Sequence, residues 1–319
     1  MIFEKQVLNM YKGMMHTRCD DTETVFYFSA EDFDGLHKNA YAFKASAGHS
    51  LQGYIYYYDN PIEKRIVVFD HGFGGGHRAY MKEIEMLCKH GYAVLSYDHT
   101  GCMESGGSST GGMAQSLCDL NDCIAAIKKD ERFVGFDISV IGHSWGGFSS
   151  LNISALYPEI SHVVVLSGFV SVELLVNSFF SGPLKSYRRV IMKLERETNP
   201  KFVNYNAIES LKKSSAKVLL IYSADDKMVK RNHYEMLKAR LSDRENVRFM
   251  LVSLKGHNPN YTGEAVKYLE KFGKARAKLA KKKNLTKPEK EAFVASYDFN
   301  RMTEQDEEVW KQIFACLDN

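Results

Sequence analysis

Residues 138–151 read Ile138-Ser139-Val140-Ile141-Gly142-His143-Ser144-Trp145-Gly146-Gly147-Phe148-Ser149-Ser150-Leu151. The first four form a short, largely β-branched run of the kind that makes a buried strand. Past Gly146, the spacing of Phe148, Leu151 and Ala155 places apolar side chains on one face of a helix. Between strand and helix stands G-x-S-x-G, so the chain must turn within a few residues with Ser144 at the apex. Glycines beside the serine answer a physical need. A turn this sharp holds its central residue in a strained conformation, and side chains at the flanking positions would meet neighbouring backbone. The hydroxyl is thereby held outward. The pentapeptide is common by itself, and an ordinary glycine-rich turn is its plain alternative, so the rest of the chain has to agree.

Working outward, apolar runs rich in β-branched and aromatic residues recur at 51–58, 65–70, 92–97, 162–167, 218–222 and 247–251, with 40–45 as an antiparallel hairpin partner of the first. Helical patterns lie between most of them, at 79–90, 113–129, 145–157, 230–241 and 261–283. Strict alternation of strand and helix predicts an α/β architecture, a mostly parallel central sheet with helices on both faces. One interval breaks it. About fifty residues separate the strand ending near Ser167 from the one starting near Lys217, against the usual connection of about 2–6. Two helical stretches, 170–180 and 187–197, flank Ser181-Gly182-Pro183, which predicts a small helical lid insertion over about 170–205, followed by a core helix near 205–213. The 319 residues are expected to form a single catalytic domain, 1–319, with a helical extension over about 284–319.

Two further glycine clusters follow strands. Asp70-His71-Gly72-Phe73-Gly74-Gly75-Gly76 comes after 66–69, and Asp98-His99-Thr100-Gly101 followed by Glu104-Ser105-Gly106 comes after 92–97. A dinucleotide fingerprint starting at Gly72 needs glycine at 77, where His77 stands, and no Gly-Lys-Ser/Thr follows for a phosphate loop. In order and spacing, residues 40–280 resemble the α/β-hydrolase family of serine hydrolases, its esterases and serine aminopeptidases among them. The first cluster is similar to that family's His-Gly oxyanion loop, and the second to its D-x-x-G-x-x-S turn. The resemblance implies Ser144 as nucleophile and the backbone N–H groups of Phe73 and Trp145 as the oxyanion hole, with Gly74 as the fallback for Phe73.

A serine nucleophile needs a base, and the base an orienting acid. His257 follows the last strand in Leu254-Lys255-Gly256-His257-Asn258, the slot that the chain order serine, acid, histidine requires. His71, His99 and His143 lie near the motifs. His143 is expected to point away from the nucleophile, and the other two to support loops through hydrogen bonds. The strand 218–222 runs into Ser223-Ala224-Asp225-Asp226-Lys227-Met228-Val229. Aligned on Val229, the family pattern G-x-x-D-x-x-V selects Asp226. Ser223 stands where glycine is usual, so Asp225 remains the alternative. The expected chemistry is cleavage of a carboxylic ester through an acyl-enzyme on Ser144, with His257 as base and Asp226 as orienting acid, and with no metal or organic cofactor. Two alternatives stay open: a serine peptidase of aminopeptidase or acyl-peptide type, and a catalytically silent ligand-binding protein on the same scaffold.

The resemblance implies a small-molecule ester or a short peptide as the partner and leaves the oligomeric state open. Hydrophobic residues at 45% and charged residues at 25% predict a sizeable core, and 42 basic against 39 acidic side chains give only +3, too little to indicate nucleic acid. No uncharged apolar run reaches the ~20 residues that span a bilayer, and the first residues lack the apolar core of a signal peptide. Six cysteines without such a leader are expected as reduced thiols, with Cys118 and Cys123 in the core, in a cytoplasmic protein. The basic run from Lys271 to Lys283 reads as the solvated face and C-terminal cations of a helix that buries Tyr268, Leu269, Phe272, Ala275 and Leu279. In the insertion, Leu174, Leu175, Val176, Phe179 and Phe180 suit either a roof over the site or packing onto the core. In the tail, Thr303-Glu304-Gln305-Asp306-Glu307-Glu308 is the expected cap of a last helix whose stripe Val309, Trp310, Ile313, Phe314, Leu317 docks on the domain or on another subunit.

Overall fold

Eight segments meet as strands: β1 (His37–Lys44), β2 (Ser50–Tyr57), β3 (Arg65–Asp70), β4 (Ala93–Tyr97), β5 (Asp137–His143), β6 (His162–Leu166), β7 (Lys217–Ser223) and β8 (Val247–Val252) in a computed structural model that describes residues 3–319. They form one sheet in the order β1-β2-β4-β3-β5-β6-β7-β8. The β1–β2 and β2–β4 pairings are antiparallel and all the others parallel, as the hairpin and the strand–helix alternation imply. Burial follows position. β6, His162-Val-Val-Val-Leu166, is buried at every residue, whereas edge strand β1 buries only Tyr41 and Phe43, on one face.

Twelve helices accompany the sheet: α1 (Glu4–Met15), α2 (Met81–Lys89), α3 (Gln115–Lys129), α4 (Ser144–Ile153), α5 (Val172–Phe179), α6 (Arg188–Thr198), α7 (Ala207–Lys213), α8 (Asn232–Leu241), α9 (Gly263–Leu279), α10 (Lys287–Ala295), α11 (Phe299–Met302) and α12 (Glu307–Leu317). One sheet face packs against α3, α4, α7 and α8, the other against α2 and α12. The C-terminal stripe therefore docks on the domain itself: Val309, Trp310, Ile313 and Leu317 join Val67, Phe69, Ile141 and Ile221 in one core. Each such fully buried side chain contributes about 1.5–3 kcal/mol relative to its exposed state.

Several boundaries move. The helix expected from residue 79 begins as a 3₁₀ turn, His77–Tyr80, before α2, and α4 ends at Ile153 because 154–160 turn back toward β6. Within the expected capping segment 303–308, Asp306 caps the last helix by accepting the Glu308 and Val309 N–H groups, while Thr303 closes short α11. Helix α1 was not among the sequence expectations. The insertion folds as α5, a 3₁₀ turn over Gly182–Tyr187, and α6, and Leu175, Val176 and Phe180 are spent on the core while Leu174 and Phe179 stay half-buried. A small separate core joins Phe272 of α9, Phe299 and Met302 of α11, and Val25 and Phe28 of the N-terminal segment.

Candidate active site

β5 delivers the chain to Ser144, whose φ of 55° lies in the left-handed region that costs a non-glycine residue strain. What allows this turn is the lack of side chains around it. A Cβ on Gly146 would sit 2.0 Å from the Asp70 carbonyl oxygen at the end of neighbouring β3, and one on Gly142 would sit 2.1 Å from the Gly146 oxygen. Helix α4 can approach β3, through Gly146, and the end of its own strand β5, through Gly142, this closely only because both positions are glycine. Ser144 is also the first residue of α4, so the Trp145 N–H, one residue later, has no acceptor within the helix.

The ends of β5, β7 and β8 converge here. His257 Nε2 lies 2.8 Å from Ser144 Oγ, and His257 Nδ1 lies 2.7 Å from Asp226 Oδ2. Asp226 is buried, and its other oxygen accepts the N–H groups of Met228 (2.8 Å) and Val229 (3.1 Å). Both carboxylate oxygens are thus fixed. Asp225 points elsewhere: it accepts from Ser223 Oγ at 2.6 Å and from the Lys255 and Gly256 N–H groups, hydrogen bonds that together hold its carboxyl below the usual range against the opposing effect of burial. The two aspartates therefore do different work, Asp226 meeting the imidazole and Asp225 pinning the loop that carries it. Ser223, where glycine was expected, supplies part of that pin.

Phe73 stacks edge-on against Trp145, ring centroids 5.1 Å apart, which brings the two expected donor residues side by side. Among the described residues the Phe73 N–H makes no backbone hydrogen bond. Trp145 is held from its far side, its indole N–H donating to the Met113 carbonyl at 2.8 Å and its own carbonyl accepting from Ser116 Oγ at 2.9 Å.

His143 turns away from Ser144, and its place has a consequence that sequence reasoning missed. Its Nε2–H donates to the His257 carbonyl at 2.8 Å, which leaves Nδ1 to accept the Tyr80 hydroxyl, also at 2.8 Å. The Tyr80 oxygen in turn accepts the Gly72 N–H at 3.0 Å. Burial first, and the nearby His257 second, push the His143 pKa down to about 3, so the ring stays neutral and this donor order holds. One relay thus joins the glycine loop, the residue before Ser144 and the backbone of His257.

His71 and His99 sit beneath it. The His99 N–H donates to His71 Nε2, which makes His71 Nδ1 the donor to the Gly72 carbonyl. Burial pushes His71 down to about 3. Burial opposes charge on His99 as well, but the Asp70 and Asp119 carboxylates, 3.0 and 3.1 Å away, outweigh it and raise this histidine to about 10. Asp70 also accepts from Tyr97 Oη and Ser149 Oγ. A buried cluster in which His99 is charged between two carboxylates therefore supports the floor of the glycine loop. Cys123 is buried as expected, while Cys118 is only half-buried, with its thiol against Asn199 Oδ1. Among the described residues, no group of three or more His, Cys, Asp or Glu side chains is arranged to hold a metal ion, and no helix is long and apolar enough to cross a membrane.

Comparison with known proteins agrees with this frame. Residues 61–206 match the family model described as serine aminopeptidase, S33. An uncharacterized protein of Bacillus subtilis (strain 168), YqkD, is 26% identical over 122 residues, a match that takes in 38% of this chain and only 39% of that relative. Among solved structures, an esterase of Pyrococcus furiosus superposes with a TM-score of 0.60 at 19% identity, covering 89% of this chain and 98% of that one. A puromycin-hydrolyzing peptidase of Mycobacterium tuberculosis gives 0.52 at 15%, covering 70% of this chain and 36% of that one. With its sheet order, its strand–turn–helix at Ser144 and these likenesses, the chain has the α/β-hydrolase fold, and its residues 61–206 are similar to the serine hydrolases of that fold.

Proposed function

We propose that this hydrolase cleaves carboxylic esters through an acyl-enzyme on Ser144. The observation that carries the reading is the unbroken run of hydrogen bonds from Ser144 Oγ through His257 to Asp226, built by three separate strand ends. His257 Nε2 takes the hydroxyl proton as Oγ bonds to the carbonyl carbon, and the carbonyl electron pair moves onto oxygen, facing the Phe73 and Trp145 N–H groups. Collapse of this intermediate expels the alkoxide, which receives the proton back from Nε2, and water then repeats the sequence on the acyl-enzyme. Asp226 holds the imidazole in the tautomer that leaves Nε2 free to accept. In this reading α5 and α6 are a lid, α5 being tethered beside the Asp226 loop by Lys230 Nζ, which donates to the Ser178 carbonyl at 3.4 Å.

The same machinery cleaves amides, and the family model that matches is described by a peptidase activity, so a serine peptidase is the second reading. Intact-mass measurement after treatment with a fluorophosphonate tests the chemistry that both share. Stoichiometric labelling of the wild type, with none on Ser144→Ala or His257→Ala, is the expected result. An unlabelled, folded wild type refutes it in favour of a binding protein. Relative kcat/KM on matched ester and anilide substrates then separates esterase from peptidase.

A further inference from the structure

The steps above leave unused a cleft of ≈ 370 Å³ that opens beside the backbone of Phe73, Gly74 and Gly75 and beside Asn258, the residue after His257. Its far wall is this chain's own C-terminal extension and N-terminal segment, with Phe272 and Phe299 buried behind it. With an ester carbonyl lodged against the Phe73 N–H, as the proposed chemistry has it, a substituent that extends over this loop enters the cleft. The cleft is where that arm can go.

Two arginines, Arg78 and Arg276, line it from opposite elements. Arg78 donates to the carbonyls of Tyr27 (2.9 Å) and Phe28 (3.4 Å), and Arg276 to the hydroxyls of Thr24 and Thr22, both at 2.9 Å. Every acceptor is neutral. Among the described residues neither guanidinium has a carboxylate partner, and no Asp or Glu lines the cleft. Asp20, Asp21, Asp98 and Glu104 line an adjoining cleft that Arg78 also borders, where they are partnered by Arg18, the Glu23 N–H, His77 and Tyr54 Oη respectively. Two cations with no carboxylate beside them in the cleft, set against an aromatic wall, select an anion carried on an apolar body, because a guanidinium forms its strongest hydrogen bonds with carboxylate or phosphate oxygens. The same charges repel the free ammonium of a peptide's first residue.

Resting on the proposed esterase chemistry, we infer that the cleft between the oxyanion loop and the C-terminal extension binds a substrate arm with an apolar or aromatic body and a terminal carboxylate, held by Arg78 and Arg276. The substrate class is then the carboxylated ester: a half-ester of a dicarboxylic acid, or an ester of a carboxylated aryl alcohol.

The test uses two matched pairs of esters with wild type, Arg78→Gln, Arg276→Gln and Arg276→Lys. One pair carries the carboxylate on the acyl arm (4-nitrophenyl hydrogen adipate against 4-nitrophenyl hexanoate), the other on the leaving group (4-acetoxymethylbenzoate against benzyl acetate). A charge-assisted contact predicts that wild type favours the carboxylated member of at least one pair by roughly 10–100-fold in kcat/KM. Each glutamine variant is expected to lower that ratio at least fivefold, and Arg276→Lys to keep part of it. No preference in either pair overturns the inference, as does a preference that survives both glutamine variants. Equal losses on both members of a pair also overturn it, since they mark the arginines as clamps for residues 22–28. Failure of the underlying chemistry looks different: wild type then neither takes the fluorophosphonate nor hydrolyses the neutral esters, and both readings fall.

Discussion

Replacing Tyr80 with phenylalanine removes one oxygen and breaks two hydrogen bonds. In the wild type that oxygen accepts the Gly72 N–H at 3.0 Å and donates to His143 Nδ1 at 2.8 Å. The site admits little else, for a Cβ on Gly72 would come within 2.4 Å of the hydroxyl and 3.1 Å of His143 Nδ1. Tyr80→Phe thus strands a backbone donor and an imidazole acceptor in a tightly packed place. Each stranded group costs about 1–3 kcal/mol, so the variant is expected to lose roughly 2–5 kcal/mol of stability, less if water enters. His143→Leu removes the second partner and leaves the His257 carbonyl unmatched. If the two residues act as one unit, the double variant costs less than the sum of the singles by about 0.5–3 kcal/mol. Urea unfolding at neutral pH reads all four proteins, and kcat on a neutral ester reads whether the His257 loop has shifted. A Tyr80→Phe protein within ~0.5 kcal/mol of wild type, or strictly additive losses, would refute the relay as a buried, coupled network.

The division of labour between the aspartates predicts that Asp226→Asn lowers kcat by about 10⁴, as loss of an imidazole-orienting carboxylate does elsewhere, while Asp225→Asn costs less than tenfold; equal losses would contradict it. Buried Glu195 of α6 accepts from Tyr11 Oη (2.7 Å) and the Met113 N–H (2.8 Å) and lies 3.0 Å from His16 Nε2. Glu195→Ala should therefore destabilise by about 3 kcal/mol and speed proteolysis in 181–187, and unchanged cleavage would argue against this carboxylate as the seat of the insertion. Acid should weaken the fold. His71 and His143 are held down to about 3 by burial, so below pH ~6.5 the unfolded chain binds protons that the native one refuses, and stability falls by about 1.4 kcal/mol per pH unit for each. Glu83, pushed up to about 7 by burial, works in the opposite direction between pH ~4.5 and 7 and offsets about one of them. A net loss on the order of 2 kcal/mol between pH 7 and 5 is expected from urea midpoints, and a flat profile would refute the buried neutral histidines.

What the sequence by itself determined is local. Strand, sharp turn and helix around Ser144 were legible because neighbouring residues impose them: β-branched runs before the turn, an apolar face after it, and glycines where backbones nearly touch. The alternation of such units implied the parallel sheet, since a crossover helix must lie on one of its faces. The last helix was legible as an amphipathic stripe with its cap in 303–308, and within that segment Asp306 takes the role while Thr303 ends short α11. Tertiary structure decided what depends on distant partners. The pattern aligned on Val229 favours Asp226 and leaves Asp225 as the alternative, but the 2.7 Å contact of Asp226 with His257, 31 residues on, is a meeting that no local pattern records. Tyr80 meets His143 across 63 residues, and Tyr11 meets Glu195 across 184. Arg276, one cation in a basic run, turns inward because Thr22 and Thr24 lie against α9. No periodicity records such meetings, because they arise when the sheet sets segments side by side that share no local pattern.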